Sequence, residues 1–567
     1  MPAEEKQILA ICDFIDQRID CADFRLICIL RSLFCYSELI SNTTLTRMKE
    51  TVLNFKYWMD EPGTDSMCYW SENHQIIFAV CEFLAGQLYS SDIFTNDGNL
   101  GINHKNKARS RLEEWLASRF RLGFVEWHSN TYYEENVAAL SLLIDCADDA
   151  LLRKRAQRIL DLLFLDMALH HYRSYLAATS GRCYESQKKD PQTQDVADIM
   201  QKAFHFHETY RYDFSRVGTD YLLNQTYRLP QWIYEIAHDD CLGEVKVSMG
   251  LNLDEVDDHF PDRGDIHGRA LFLWSMEAFT NHQSVETSLK LFKDWELSDN
   301  KFLQGLKVLE IPFIHQLKLL PFVIRILNPV TTGLAIQRVN SYSYRTPHYF
   351  LSSAQSYHPG SFGDQQHIWQ ATFGEGHSVF TTHPGVSAFK NDTRNTTPSL
   401  WVGNGIHPDC RQHKNVLICQ YDLNVRRGYM EQERLLYTHA WFPQDRERLH
   451  SKCIIAKDND SYIALFSLED IDENLKQYGK TTAWACVCGS ADEHGSYDQF
   501  HKLCKTSTFT HKGKTTTFTW DNAIYELHYS KAFTVNGILQ DPNYPRLECK
   551  YGKVERYADN ILSITYP

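Results

Sequence analysis

The sequence predicts an α+β protein of two parts, a helical domain over residues 1–330 and an all-β domain over residues 331–567. Three observations carry this. The apolar residues before about residue 330 recur at helical spacing. No proline interrupts the stretch between Pro62 and Pro191, as a run of unbroken helices requires. After about residue 330 the pattern changes to short strand-like runs separated by turn residues.

The elements follow in order. Residues 71–90 carry Ile76, Ile77, Val80, Phe83, Leu84 and Leu88, the i, i+3, i+4 stripe of one buried helix face. Residues 134–147 and 150–176 predict two more helices. The polar stretch Cys183 to Asp195 and the Asp-rich stretch Gly250 to Gly268 predict loops. Helical spacing resumes at Ala270 and ends at Asn328-Pro329. Beyond it, Val379–Thr382 predicts a strand closed by His383-Pro384-Gly385. The run Asn415 to Tyr421 is strand-like but alternates poorly. Lys452–Lys457 and Ser461–Phe466 flank Asp458-Asn459-Asp460, a hairpin signal, and Thr515–Trp520 and Ile524–Tyr529 flank a second Asp-Asn pair. A helical layer followed by antiparallel strands implies a separate β-sandwich.

Composition narrows the function. At 567 residues the chain exceeds one ordinary core. The net charge of −14 opposes general nucleic-acid binding, which needs a basic face, yet it leaves room for a locally basic cleft that takes an anionic ligand. The start Met1-Pro2-Ala3-Glu4-Glu5-Lys6 shows no signal-peptide pattern and no apolar run reaches membrane-spanning length. With 16 Cys in no paired zinc spacing, this reads as a cytoplasmic protein with reduced thiols. No phosphate loop, His-Glu-x-x-His or Gly-x-Ser-x-Gly occurs, so no cofactor and no catalytic metal is expected.

Two polar segments stand out among the apolar helices, Tyr69-Trp70-Ser71-Glu72-Asn73-His74 and Glu126-Trp127-His128-Ser129-Asn130-Thr131-Tyr132-Tyr133. Ser71 is placed to cap the helix that begins there, with Asn73 and His74 in its first turn, where backbone N–H groups and the helix dipole favour a carboxylate. An amide and an imidazole beside a bound uronate would acidify its C5 proton. His128, Tyr132 and Tyr133 supply acid/base candidates; a tyrosine near pKa ~10 serves only if a neighbour stabilises its phenolate. Helix capping and aromatic packing account for the same residues without any chemistry.

These residues resemble the heparinase II/III-like and alginate-lyase-like polysaccharide lyases. The resemblance rests on Glu72-Asn73-His74 at a helix start, and on Glu126, Ser129 and Tyr132, a Glu-x-Ser-x-x-Tyr-like element with one extra residue. It rests further on Ser180-Gly181-Arg182 and on Gly363-Asp364-Gln365-Gln366-His367-Ile368-Trp369-Gln370. It implies an (α/α) toroid with a C-terminal antiparallel β-sandwich, cleaving a 4-linked uronic-acid glycan, such as a glycosaminoglycan or alginate, by β-elimination. It implies Asn73 and His74 as carboxylate-neutralising groups, and Tyr132 and His367 as proton-transfer groups, His358 being a rival to His367. His128, Arg182, Tyr133, Trp70 and Glu72 would contact the sugar. Gln365 stands where some members begin a zinc site with His, so no metal is expected there. Two alternatives stay open. A glycoside hydrolase would use two of Glu72, Glu126, Glu134 and Glu135. A glycan-binding protein would bind without turnover.

Overall fold

The computed structural model describes residues 3–213, 215–219, 226–260, 266–309, 318–327, 335–385, 401, 403, 405–431, 433–558 and 561. Asn328-Pro329, the expected domain stop, lies outside them.

Seven helices open the chain: α1 (Ala3–Ile15), α2 (Ala22–Cys35), α3 (Asn42–Asn54), α4 (Glu72–Leu88), α5 (Gly101–Leu122), α6 (Tyr133–Cys146) and α7 (Ala150–His170). α4 is the hub. It packs against α2, α5 and α6, and is buried almost all round from Glu72 to Gly86, which a helix rich in Ile, Val, Phe and Ala permits. α7 is capped by Asp149, whose carboxylate accepts from the amides of Leu151 and Leu152, both at 3.0 Å. Ser71 occupies the N-cap of α4 in extended conformation, but its hydroxyl makes no capping bond and is buried without a partner. The expected helix 150–176 stops at His170, because His171–Tyr172 and Tyr175–Leu176 pair as a small antiparallel ladder instead.

The C-terminal half is three antiparallel sheets rather than a plain two-sheet sandwich. The largest has nine strands and runs Lys476–Tyr478, Tyr437–Trp441, His377–Thr382, Trp369–Phe373, Tyr349–Ala354, Val339–Arg345, Gly243–Met249, Leu547–Cys549, Gly552–Val554. Gly243–Met249 precedes residue 330, yet it pairs along its whole length with Val339–Arg345, so the sheet takes one strand from the expected helical segment. The second sheet, of six strands, includes Cys453–Asp458, Ser461–Ser467, Thr481–Ser490 and Val416–Asp422. The third has five strands between Thr508 and Leu539.

The middle sheet explains the poor alternation near Val416. Leu417, Cys419 and Tyr421 join the large core shared with the nine-stranded sheet, while Val416 and Ile418 join a second core with Phe518, Trp520 and Leu527 of the third sheet. A strand buried on both faces reads as a continuous apolar run. The two hairpins expected around Asp458-Asn459-Asp460 and Asp521-Asn522 both form, in the registers Asp458↔Ser461 and Trp520↔Ala523. All 16 Cys are free. Among the described residues no helix is long and apolar enough to cross a membrane.

Candidate active site

The two polar segments meet at a buried cluster built around Arg182. The turn from Glu126 to Tyr132 is held by the Ser129 hydroxyl, which donates to Arg182 O at 2.9 Å and accepts from the Tyr132 amide at 3.1 Å. The Ser180–Arg182 segment lies directly on this turn, with the Gly181 amide donating to Trp127 O at 2.8 Å. A Cβ at Gly181 would sit 2.9 Å from the Trp127 indole, so a larger residue would push the two segments apart.

Arg182 then faces three groups. Its Nη1 donates to Glu126 Oε1 at 2.6 Å and lies 3.0 Å from Glu277 Oε1, and its guanidinium carbon sits 4.4 Å from the Tyr132 ring centroid. Glu126 Oε2 accepts from Asn73 Nδ2 at 3.0 Å, while Asn73 Oδ1 is buried without a partner. The Tyr132 and Tyr184 hydroxyls share a hydrogen bond at 2.5 Å. Burial pushes the Tyr132 phenol well above its ordinary value; Arg182 pulls it back and Tyr184 raises it. Burial resists the charge on Arg182, but Glu277, Tyr132 and Glu126 together hold it well above the usual arginine value. Burial also raises the Glu277 carboxyl against the pull of Arg182.

Asn73, Tyr132 and Arg182 therefore come together. Of the three neighbours expected for the Tyr132 phenol, His128, His367 and Arg182, the Arg182 guanidinium lies over its ring, while its hydrogen-bond partner is Tyr184. Tyr184 lies two residues beyond Arg182, inside a segment the sequence already marks. Glu277 carries no such signal; it follows an ordinary apolar run and adopts a φ of 59°.

The other candidates face elsewhere. Glu72 accepts from Arg119 Nη1 at 2.6 Å and from the Glu126 amide at 2.7 Å. It ties α4, α5 and the Glu126 turn together and buttresses the site. Tyr133 is fully buried; its hydroxyl donates to Asp166 Oδ2 and accepts from the His128 amide, both at 2.8 Å. That bond holds His128 at a φ of 50°. The His128 imidazole points to Asp166 Oδ1, 3.3 Å away, and lies against the His170 ring. Burial lowers its pKa, with Asp166 opposing. His128, Asp166 and His170 are close enough to hold an ion; however, His170 Nδ1 already contacts the Asp166 carbonyl at 2.9 Å. Trp70 packs edge-on against Trp274, Phe279 and Phe302. Of the candidate carboxylates of a hydrolase, Glu134 turns to the Gly218 amide at 2.7 Å and Glu135 is raised by its burial and by Glu134.

His367 is brought beside the cluster by its backbone, which bridges to Ser180. Its imidazole packs on the Phe380 ring, and burial and then Lys188 hold its pKa well below normal. His358, the rival candidate, faces Gln337 and the Tyr357 ring instead, at a φ of 42° and with a pKa lowered to about 4 by burial.

His74 turns to α2, where Nδ1 meets Asp23 Oδ2 at 2.7 Å and the ring stacks on Phe24 at 4.8 Å. Burial opposes its charge, but Asp23 prevails and the pKa stands well above 6.5. A raised folded-state pKa stabilises fully below the unfolded value of about 6.5 and loses that contribution as pH rises through the folded value. The melting-temperature gap between the native chain and His74→Gln is therefore expected to be widest below pH 6.5 and to narrow at alkaline pH. A gap independent of pH would show that the pair carries no charge.

No family model matches the chain, and no curated protein matches it. The crystal structure of heparinase III is similar over 91% of this chain and 74% of its own, at 10% sequence identity and a TM-score of 0.34. So loose a likeness carries no argument about the site.

Proposed function

We propose that the chain is a polysaccharide or oligosaccharide lyase that cleaves a 4-linked uronic-acid glycan by β-elimination. The observation that carries this reading is the Tyr132 phenol, hydrogen-bonded to a second phenol and lying under the Arg182 guanidinium. In such a step a base removes the C5 proton and the electron pair forms the C4–C5 double bond. The C4–O4 bond breaks, and the leaving oxygen gains a proton. Tyr132 is the proton carrier of choice because its two neighbours act on opposite forms. Arg182 favours the phenolate by charge, and the Tyr184 hydroxyl can receive or return a proton along the 2.5 Å bond. Arg182 would draw charge from the uronate carboxyl, while Asn73, whose Nδ2 donates to Glu126 Oε2, steadies the carboxylate that holds Arg182. His74 supports α4 through Asp23, and His367, whose Nε2 is buried without a partner, is the second proton-transfer group.

A second reading, glycoside hydrolysis, is favoured by one observation: Glu126 and Glu277 approach the same Arg182 nitrogen, and paired carboxyls are what hydrolysis uses. Glu126, however, is fully buried and already accepts two bonds.

The test is the product. Uronic-acid polymers incubated with the chain are expected to yield unsaturated sugars absorbing in the ultraviolet. Saturated products carrying solvent oxygen would replace the lyase reading with hydrolysis. Binding without either product would leave a glycan-binding protein.

A further inference from the structure

A separate cleft of about 610 Å³ is lined from the helical half by residues around Asn281 and Arg325 and from the sheet half by residues around His358 and Arg426; packing joins it to the Arg182 cluster, since Trp127, bonded to Gly181, packs against Tyr357, the residue before His358. It shares two chain segments with the cluster. Glu277 leads into its wall at His282, and His358 leads into the loop that ends at His367. The charge in it is one-sided. Arg325 and Arg426 both line it and both are exposed, and among the described residues neither has a carboxylate partner. Asp254 is the one carboxylate among the residues that line this wall.

The two histidines do not supply the charge. Burial lowers the pKa of each, with Arg325 acting further on His282. They fix geometry instead. Neutral His282 accepts from Arg325 Nη2 through Nε2 at 3.1 Å, which aims the guanidinium into the cleft. His358 Nδ1 faces the Gln337 amide at 3.5 Å. Two guanidiniums on a chain of net charge −14 make a local field opposite to that of the whole molecule. Such a cleft concentrates anions and presents forked donors that match an oxyanion.

We infer that this cleft is a second anion subsite, in which Arg325 and Arg426 bind a carboxylate or sulfate group on a sugar next to the one that reacts. The inference rests on the glycan reading of the neighbouring cluster. It adds that the substrate carries acidic groups on more than one residue, and that affinity, rather than chemistry, is decided here.

The experiment measures binding by calorimetry in the Tyr132→Phe background, with and without Arg325→Gln and Arg426→Gln. Three probes are used: a 4-linked uronate tetrasaccharide, its sulfated counterpart, and the same chain with its carboxyls reduced to alcohols. Each arginine substitution is expected to weaken the acidic probes about tenfold, the scale of one charge-assisted hydrogen bond, and to leave the reduced probe unchanged. Arg426→Lys should recover part of the loss. Loss with both acidic probes supports a carboxylate subsite, and loss with the sulfated probe alone supports a sulfate subsite. Equal binding by native and substituted chains, equal loss of the reduced probe, or no binding of any probe overturns the inference. Turnover is read separately on the chain with Tyr132 intact. Unsaturated product with arginine-independent binding removes the subsite and keeps the lyase; arginine-dependent binding without that product does the reverse.

Discussion

Tyr132→Phe is expected to lower turnover by at least about 10²-fold, the lower range for a positioned acid/base group, with the substrate still bound. The substitution removes only the hydroxyl. The ring stays under Arg182, and the amide bond to Ser129 that sets the turn is a backbone contact. What is lost is the 2.5 Å bond to Tyr184, so Tyr184→Phe should slow the reaction by a smaller factor through the same path. Tyr133→Phe makes the informative contrast. Its hydroxyl serves Asp166 and the His128 amide, and its removal strands two buried partners. The expected cost is about 1–3 kcal/mol of stability, read by urea unfolding, with a much milder effect on rate in the folded protein. Near-normal turnover in Tyr132→Phe would end the tyrosine mechanism. Abolished turnover in Tyr133→Phe with Tyr132→Phe active would move the role by one residue.

The contrast between these adjacent tyrosines shows how far the sequence reaches. Helices α4, α6 and α7 are legible because their apolar faces repeat at helical spacing, and the two Asp-Asn hairpins because turn residues interrupt alternating runs. The middle sheet is harder to read, since a strand buried on both faces, such as Val416–Asp422, loses the alternation that marks a half-buried one. Nor is the strand Gly243–Met249, whose partner lies beyond residue 330. At the site, Asn73, Tyr132 and Arg182 are each visible as polar residues in apolar surroundings, but spacing does not say which way they turn. His74 and His128 carry the same signal and turn to buried aspartates. A histidine that neutralises a structural carboxylate and one that serves a substrate look alike until the third dimension separates them. Glu277 is invisible beforehand because it reaches Arg182 through a left-handed backbone position that no pattern announces.

Arg182→Met is expected to be the most damaging single change to the fold around the site. Methionine keeps much of the volume but leaves Glu126, which is fully buried, with Asn73 as its remaining side-chain partner. Removing one member of a buried ion pair costs on the order of 3–5 kcal/mol, most of it the desolvation of the charge left behind. Arg182 and Glu277 keep only 16% and 18% of their side-chain surface in solvent, so water screens little of this. The sign of the pH dependence follows. Without the guanidinium, the pull that opposes burial at Glu277 is gone; its carboxyl pKa rises further in the folded state, and stability is lost as pH rises above the unfolded carboxylate range. The deficit against the native chain should thus be small near pH 4 and grow toward pH 7. Arg182→Lys restores a point charge but not the planar guanidinium that meets both carboxylates through Nη1 while lying over the Tyr132 ring, and should recover less than half of the loss. Glu126→Gln in the Arg182→Met background provides the decisive comparison. A neutral amide removes the stranded charge, so the double variant should be more stable than Arg182→Met alone at pH 7, although both lack turnover. If the two substitutions instead destabilise additively in a double-mutant cycle, Arg182 and Glu126 are not energetically coupled, and the cluster is a packing arrangement rather than an electrostatic one.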